Sequence, residues 1–332
     1  MASNMSNKTS LVCQRQLLQY LADGSFYSGQ WLAEQLGISR TAVANYLNEL
    51  KQHGLEIFSV KGRGYKLANP IQLLDANKIK KLQAADCAQI LVQHITDSTN
   101  SQLLNKLQTG QPLEQGSVII AEAQSAGRGR RGRTWYSPFG ANLYFSCFWR
   151  LEQGVTAAMG LSLAIGLAVC RLLQHQYQLD ARVKWPNDIY VNDRKIAGIL
   201  VELSGQVAAA CDVVIGIGLN IGMPEQSRQH IDQPYTDLRT ESQQRVDRNR
   251  LVVALQHQVV SVLREFSRAG FASFVTEFNQ HDLYANRKVL LMAKMPITGI
   301  CRGVDKQGGI IIETGQSTDV YYGGELSLRA GG

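Results

Sequence analysis

The sequence contains no C-x-x-C pair. Its six cysteines (Cys13, Cys87, Cys147, Cys170, Cys211 and Cys301) are scattered along the chain. That pattern excludes a disulfide framework and a cysteine zinc site, and it suits a reducing cytoplasm. The first ten residues, MASNMSNKTS, have no apolar core, so no signal peptide is expected. No internal repeat occurs. One uncharged run, Gln153 to Cys170, sits at the lower edge of a membrane-spanning length. It carries polar residues and glycines, and Gly160, Ala164 and Ala168 recur every four positions as a flat stripe. A buried helix in a soluble core is expected there, with no membrane partner.

What is present is enough for a folded, multidomain protein. A chain of 332 residues with 45% apolar content affords two to three domains with real cores. The net charge of +7 favours an anionic partner, although solubility alone would also account for it.

Residues 1–69 make the first unit. Apolar residues fall at helical spacing in LVCQRQLLQYLADG. SGQWLAEQLG follows as a short helix that turns at Gly37, and Ser39 caps SRTAVANYLNELKQHG, whose Val43, Leu47 and Leu50 share a face. A short helix, a glycine turn and an amphipathic helix form a helix-turn-helix pattern. LEIFSV and GYKL flank KGRG as a hairpin, completing a winged helix. Ser39, Arg40, Thr41, Asn45 and Asn48 would meet base edges and phosphates, and Lys61 and Arg63 the phosphate backbone. Some winged helices bind protein instead.

Residues 70–282 alternate strand-like runs (QILVQHI, SVIIAEA, ANLYFSCFW, ARVKW, DIYV, AGILVEL, DVVIGIGLNI) with helical ones (SQLLNKL, 155–176 and 247–268). Several strands follow one another directly, so the sheet is mixed and the class α+β. Residues 283–332 are short, glycine-rich and strand-like, which suits a small barrel.

Residues 127–133 read GRGRRGR. A dinucleotide turn with this glycine spacing needs a helix directly after it and an acid about 20 residues on. Here a proline, a turn and a strand follow, and no Asp or Glu occurs from Ser125 to Leu151. That excludes the Rossmann reading. The run lies between two core strands and not on a tail, so a nucleic-acid patch is the weaker alternative. Glycines that let backbone amides approach an anion, with arginine forks around them and Trp135 close by, point to a phosphorylated small molecule.

QSAGRGRRGRTW, KWPNDIYVNDRKIAGILVE and VIGIGLNIG, in this order, resemble the biotin–protein ligases. The winged helix ahead of them is similar to that of the bifunctional members, which also repress biotin-biosynthesis genes. The likeness runs over nearly the whole chain, to GVDKQGG and GGELSLR near its end. It implies a central domain resembling the class II aminoacyl-tRNA synthetases and an SH3-like C-terminal barrel. It also implies formation of biotinyl-5′-AMP from biotin and ATP with Mg2+, then transfer of biotin to a lysine of a biotin carboxyl carrier protein. Operator DNA and a homodimer promoted by biotinyl-AMP complete the implied partners.

Residue by residue, the resemblance assigns Lys195, Arg130 and Lys184 as the cations that screen carboxylate and α-phosphate, with Lys195 bridging the two. Ser98, Thr99 and Asn100 of DSTN, with Gln124, match the urea-binding positions, although Ser98 is equally an N-cap for SQLLNKL. Gly127, Arg128 and Gly129 bring the loop backbone to biotin, and Gly198, Gly216 and Gly218 leave room for ligand on the strands. Arg131 and Arg133 match adenylate positions, Trp135 the residue packing on adenine, and Asn220 a residue bonding the base. Asn187 and Asp188 lie where phosphate and magnesium are handled, unless Asp188 orients Lys184. The Trp185-Pro186 turn reads as structural. The pattern departs after Asn220. The 222–238 loop is polar, with only Met223, Ile231, Tyr235 and Leu238 as sizeable apolar residues, so loop closure and dimer coupling are expected to be weaker than in bifunctional relatives. Two other classes share part of the pattern, a winged-helix ligand sensor without ligase activity and a lipoate-type ligase.

Overall fold

The computed structural model describes residues 2–205, 210–293, 295–323 and 327–331. Three units follow in chain order. In the first, α1 (Ala2–Leu21) packs Leu17, Leu18 and Leu21 against α2 (Gly29–Leu36) and α3 (Arg40–Gln52). Ser28 and Ser39 start the latter two helices, their hydroxyls accepting from Trp31 N and Ala42 N. Gly37, at φ 63°, ends α2. β1 (Ile57–Val60) and β2 (Gly64–Leu67) form the antiparallel wing. Tyr27 pairs its backbone with Tyr65 beside it, so close that a Cβ on Gly64 would lie 2.1 Å from Tyr27 O. The helix-turn-helix and wing stand where the residue pattern puts them.

The central unit is a seven-stranded mixed sheet. Its strands are β3 (Ile90–Thr96), β4 (Val118–Gln124), β5 (Asn142–Leu151), β6 (Arg182–Lys184), β7 (Asp188–Val191), β8 (Arg194–Ser204) and β9 (Cys211–Asn220), in the order β3-β4-β5-β9-β8-β7-β6. Only β3 and β4 run parallel. The helices are α4 (Ala76–Leu82), α5 (Thr99–Gln108), α6 (Leu161–Tyr177), α7 (Leu238–Ser242), α8 (Arg248–Ala269) and α9 (Val275–His281). Because side chains alternate along a strand, Ile119, Phe148 and Val214 meet Leu103 of α5 on one face. Val118, Ile120, Cys147, Val213 and Ile215 join the large core with α6 and α8 on the other. The apolar run is long enough to span a membrane by length and composition, yet α6 buries Leu161, Ala164, Leu167, Ala168 and Leu172 in that core. Gly160 stands before the helix rather than within it, with the Phe271 ring over it.

β8 begins at Arg194, three residues ahead of the expected AGILVEL. Asn192 and Asp193 both adopt left-handed φ (49° and 55°) and close a two-residue hairpin with β7. No glycine signals that turn, and Asn and Asp tolerate it.

The third unit is a five-stranded antiparallel sheet. Its strands, β10 (Lys288–Met292), β11 (Ile297–Val304), β12 (Ile310–Glu313), β13 (Thr318–Tyr321) and β14 (Ser327–Ala330), lie in the order β13-β12-β11-β10-β14. Trp185, 1% exposed, donates its indole N–H to Gly308 O at 3.0 Å. The Trp-Pro turn therefore ties the second unit to the third.

The winged helix is docked rather than tethered. Phe139 N donates to His53 O (2.8 Å), and Gln226 Nε2 to Gly54 O (3.1 Å). His94 sits behind this seam, edge-on to Phe139 at 5.0 Å. Burial, with Arg15 and His53 nearby, pushes its pKa down to about 4. The folded protein thus keeps His94 neutral where the unfolded chain protonates it. Stability should be full above about pH 6.5 and fall on acidification toward about pH 4, by roughly 2 kcal/mol at pH 5. Urea midpoints at pH 7 and pH 5 for wild type and His94→Gln measure this; an equal acid loss in the variant would assign the effect to other groups.

Candidate active site

The floor of the site is a glycine patch. β8 and β9 pair with Gly198 opposite Gly218 and Leu200 opposite Gly216, so three of these four positions on one face of the sheet carry no side chain. A Cβ on Gly218 would fall 2.4 Å from the Trp135 indole, and one on Gly216 would fall 2.5 Å from the Asn100 carboxamide. Trp135 and Asn100 thus lie directly on the sheet, and a cleft of about 430 Å3 opens beside them, within the range of small-molecule sites.

One wall comes from the parallel pair. β3 and β4 end at the same edge, which brings Ser98, Thr99 and Asn100 at the start of α5 against Gln124. Thr99 donates from its backbone N to Gln124 Oε1 (2.9 Å), with its hydroxyl 3.2 Å from the same oxygen, and Gln124 Nε2 donates to Ser137 Oγ (3.0 Å). The Ser98 hydroxyl makes no capping bond to α5, and Ser98 lines the cleft.

The arginine loop is the opposite wall, folded as a tight hairpin. Gly129 N donates to Arg133 O (2.7 Å), Trp135 N donates to Gly127 O (2.9 Å), and Arg131 turns at φ 58°. Arg128 Nη2 reaches Glu202 Oε2 at 2.7 Å, and Arg130 Nη1 donates to Asn187 Oδ1 at 3.0 Å. Glycine and arginine alone would predict an open coil here; these backbone bonds and anchors close it.

The third side is cationic. Lys195 Nζ lies 2.8 Å from Asp188 Oδ1 and 5.3 Å from the Trp135 ring centre. Lys184 Nζ donates to Tyr190 OH at 3.2 Å. Asp188 therefore holds Lys195 rather than orienting Lys184. Lys195 and Gly198 are an odd number of residues apart and would face opposite ways on a regular strand. A β-bulge corrects this, since Ile189 pairs with Ala197 but Tyr190 with Lys195. Burial lowers the Lys184 pKa, with Asp188 opposing and Lys195 and Arg329 adding to it. Burial likewise lowers that of Arg130, helped by Arg131. Several desolvated cations thus share little counter-charge, an arrangement that an incoming anion relieves. Among the described residues no cluster of three or more His, Cys, Asp or Glu could hold a metal.

Of the residues expected from the sequence, Ser98, Thr99, Asn100, Gln124, Arg128, Gly129, Arg130, Arg131, Arg133, Trp135, Lys184, Asn187, Asp188, Lys195, Gly198, Gly216 and Gly218 line this cleft. Gly127 lies behind it, at the base of the hairpin. Asn220 is buried outside it and donates from Nδ2 to Thr236 O (3.0 Å). Ser39 uses its hydroxyl as a cap, while Arg40, Thr41, Asn45, Asn48, Lys61 and Arg63 are exposed on α3 and the wing. The polar 222–238 loop is held by main chain and contacts of another kind. Lys195 exchanges backbone bonds with Pro234 and Thr236 (3.1 and 2.9 Å), and His230 stacks on Tyr136 at 4.4 Å. Sequence reasoning missed Arg329, which reaches the cleft from β14, and Ser137, Ser146 and Glu202, which sit behind it. GGELSLR contained the signal for Arg329; single Ser and Glu residues inside strands carry none.

A family model described as the biotin/lipoate A/B protein ligase family matches residues 92–220, and one described as an HTH domain matches residues 14–66. The chain is 44% identical over 315 residues to the bifunctional ligase/repressor BirA of Escherichia coli strain K12, covering 95% of this chain and 96% of that one. It is 31% identical over 237 residues to the biotin–[acetyl-CoA-carboxylase] ligase of Mycobacterium tuberculosis, covering 70% and 85%. The solved biotin protein ligase of Aquifex aeolicus in complex with biotin and ATP aligns with a TM-score of 0.62 at 28% identity, over 73% of this chain and 99% of that one.

Proposed function

Since the chain belongs to the family of bifunctional biotin ligase/repressors, we infer that it joins biotin to a carrier protein at the expense of ATP and represses transcription through its winged helix. The observation that carries the ligase reading is the convergence of Lys195, Arg130 and Lys184 on one cleft opposite the Ser98–Asn100 and Gln124 wall.

The chemistry follows from that arrangement. A biotin carboxylate oxygen attacks the α-phosphorus of ATP; a P–O bond forms, pyrophosphate leaves and biotinyl-5′-AMP remains. A lysine amine of the carrier then attacks the acyl carbon, AMP leaves with the C–O electron pair, and the amine loses a proton to give the amide. The first step drives an anion onto a polyanion, so fixed cations at the developing charge lower its barrier. Lys195 stands where both anions meet, and Lys184 and Arg130 flank it. The urea meets Ser98, Thr99, Asn100 and Gln124, Trp135 packs on the adenine, and Arg131 and Arg133 attend the adenylate. Asn187 and Asp188 are one amide and one carboxylate, a set suited to Mg2+ that arrives on the nucleotide rather than to a resident ion.

The same reading divides the chain at 1–69, 70–282 and 283–332. It takes the central sheet as class II synthetase-like and the C-terminal sheet as an SH3-like barrel, in a reducing cytoplasmic setting that free cysteines support. Biotin-dependent ATP–pyrophosphate exchange tests it, with lipoate as competitor. Absence of exchange would leave a ligand sensor, and efficient competition by lipoate would change the substrate.

Arg130→Gly removes the Asn187 anchor and a cation beside the adenylate, so release of the intermediate should speed up about tenfold or more. Rapid-mixing measurements of adenylate release check this, and a wild-type off-rate would remove the retaining role. Regulation requires biotinyl-AMP to favour a dimer, because a ligand shifts an equilibrium only by its differential affinity. The paired winged helices should then read a two-fold operator, with affinity falling steeply with salt. The polar 222–238 loop weakens that preference in this chain. Sedimentation with neither ligand, with biotin, and with biotin plus ATP measures the effect. An unchanging mass would keep the ligase and remove the switch.

A further inference from the structure

We infer that Glu202 is a positioning residue for this reaction, which holds the urea wall and the arginine hairpin in one fixed relation without touching substrate. The inference rests on the ligase reading. Glu202 lies on β8 on the same face as Gly198 and Leu200, one step beyond the cleft, and is not part of its lining. A single oxygen, Oε2, accepts from Asn100 Nδ2 at 2.8 Å and from Arg128 Nη2 at 2.7 Å. One residue of each wall therefore shares one carboxylate.

The bonds beyond Glu202 close a ring. Asn100, 3% exposed, presents its Oδ1 to the hydroxyl of Ser146, which is fully buried and lies 2.7 Å from Thr99 Oγ1. Thr99 donates from its backbone N to Gln124, Gln124 to Ser137, and Ser137 to Trp135 O at 2.8 Å. Trp135 and Arg128 are on the two stems of the arginine hairpin, joined by the Arg128–Thr134 bridge. The path leaves the hairpin at Trp135, passes through every urea-wall residue except Ser98, and returns at Arg128 through Glu202. Buried polar groups satisfied around a ring fix one another's orientation. The Asn100 amide in particular cannot flip, with Ser146 on its oxygen and Glu202 on its nitrogen. Glu202 is the ring's only acidic member. Without it, Asn100 Nδ2 keeps only Leu200 O at 3.4 Å, and Arg128 loses its ion-pair partner.

The test uses full-length wild type, Glu202→Ala, Glu202→Gln, Arg128→Ala and the double alanine variant. Biotin affinity is measured by calorimetry, which needs no turnover, together with KM for biotin and ATP in pyrophosphate exchange. Glu202→Ala should weaken biotin about tenfold, the scale of one charge-assisted hydrogen bond. KM for ATP and the saturated exchange rate should stay within about twofold, the signature of lost ground-state binding. Glu202→Gln keeps an acceptor for Asn100 and should recover part of the loss. The double variant should lose less than the product of the single losses, because both act through one contact. The inference is overturned if biotin affinity is unchanged in Glu202→Ala, if biotin and ATP KM rise together, or if the two alanine effects multiply. Failure of the ligase reading is separate. It would show as wild type without exchange, while the calorimetric comparison would still decide the role of Glu202.

Discussion

Lys195→Gln should lower biotin-dependent adenylate formation by about 10² or more while changing biotin affinity far less. The asymmetry follows from where the charge is needed. In the resting site Lys195 is already compensated by Asp188 at 2.8 Å, so the ground state gains little from it. As the carboxylate closes on the α-phosphate, negative charge concentrates between the reactants, and a fixed ammonium there stabilises the transition state selectively. Glutamine keeps a hydrogen-bond donor, one bond shorter, but not the charge, and it leaves Asp188 beside the nucleotide as an unpaired anion. Single-turnover adenylation with chemical quench, alongside biotin calorimetry, measures both quantities. Near-normal adenylation would move the role to Lys184 or Arg130, whereas parallel losses in rate and affinity would make Lys195 a simple binding group.

The second large effect concerns stability. Arg248, fully buried at the start of α8, pairs with Glu122 of β4 at 2.7 Å and donates to Gln72 O and Asn142 O at 2.9 and 2.8 Å. Glu122 also accepts from Leu74 N. This pair therefore joins the segment leaving the winged helix to the sheet and to α8. Arg248→Leu strands a carboxylate inside the core and should cost about 3–5 kcal/mol. Replacing both members, Glu122→Met with Arg248→Leu, should recover much of that loss, since burying two ions is itself costly; the two carbonyls that lose the Arg248 donor and the Leu74 N–H that loses its acceptor keep the recovery incomplete. Denaturant midpoints for wild type and the two variants decide it. A double variant as unstable as Arg248→Leu would show that the pair does more than neutralise itself, with its carbonyl bonds dominating.

Much of this was legible in one dimension because the signals are local. Ser28, Gly37 and Ser39 mark helix ends by bonds within four residues, and the period of Val43, Leu47 and Leu50 states which side of α3 is inward. GRGRRGR and KWPND…RKIAG are short enough that their residues face one cleft largely through their own backbone. The departures are of another kind. Nothing in DIYVNDRKIAG marks the hairpin at Asn192–Asp193, which lacks glycine, so β8 starts earlier than its hydrophobic pattern. Asn220 shares a strand with Gly216 and Gly218, yet its amide turns to Thr236, a partner sixteen residues on.

By itself the sequence determined the three-part order of the chain, the inward faces of its helices and strands, and the residue types that an acyl-adenylate chemistry requires, because each depends on spacing along the backbone. Tertiary structure alone decided which of those residues act together. The Tyr190–Lys195 register turns Lys195 to the glycine face, since one inserted residue reverses every side chain after it. Arg329 arrives at the cleft from another unit, and Glu202 meets Asn100 and Arg128 across 102 and 74 residues of chain. Such meetings are set by the packing of sheets and helices against one another, and no local pattern encodes a partner so far away.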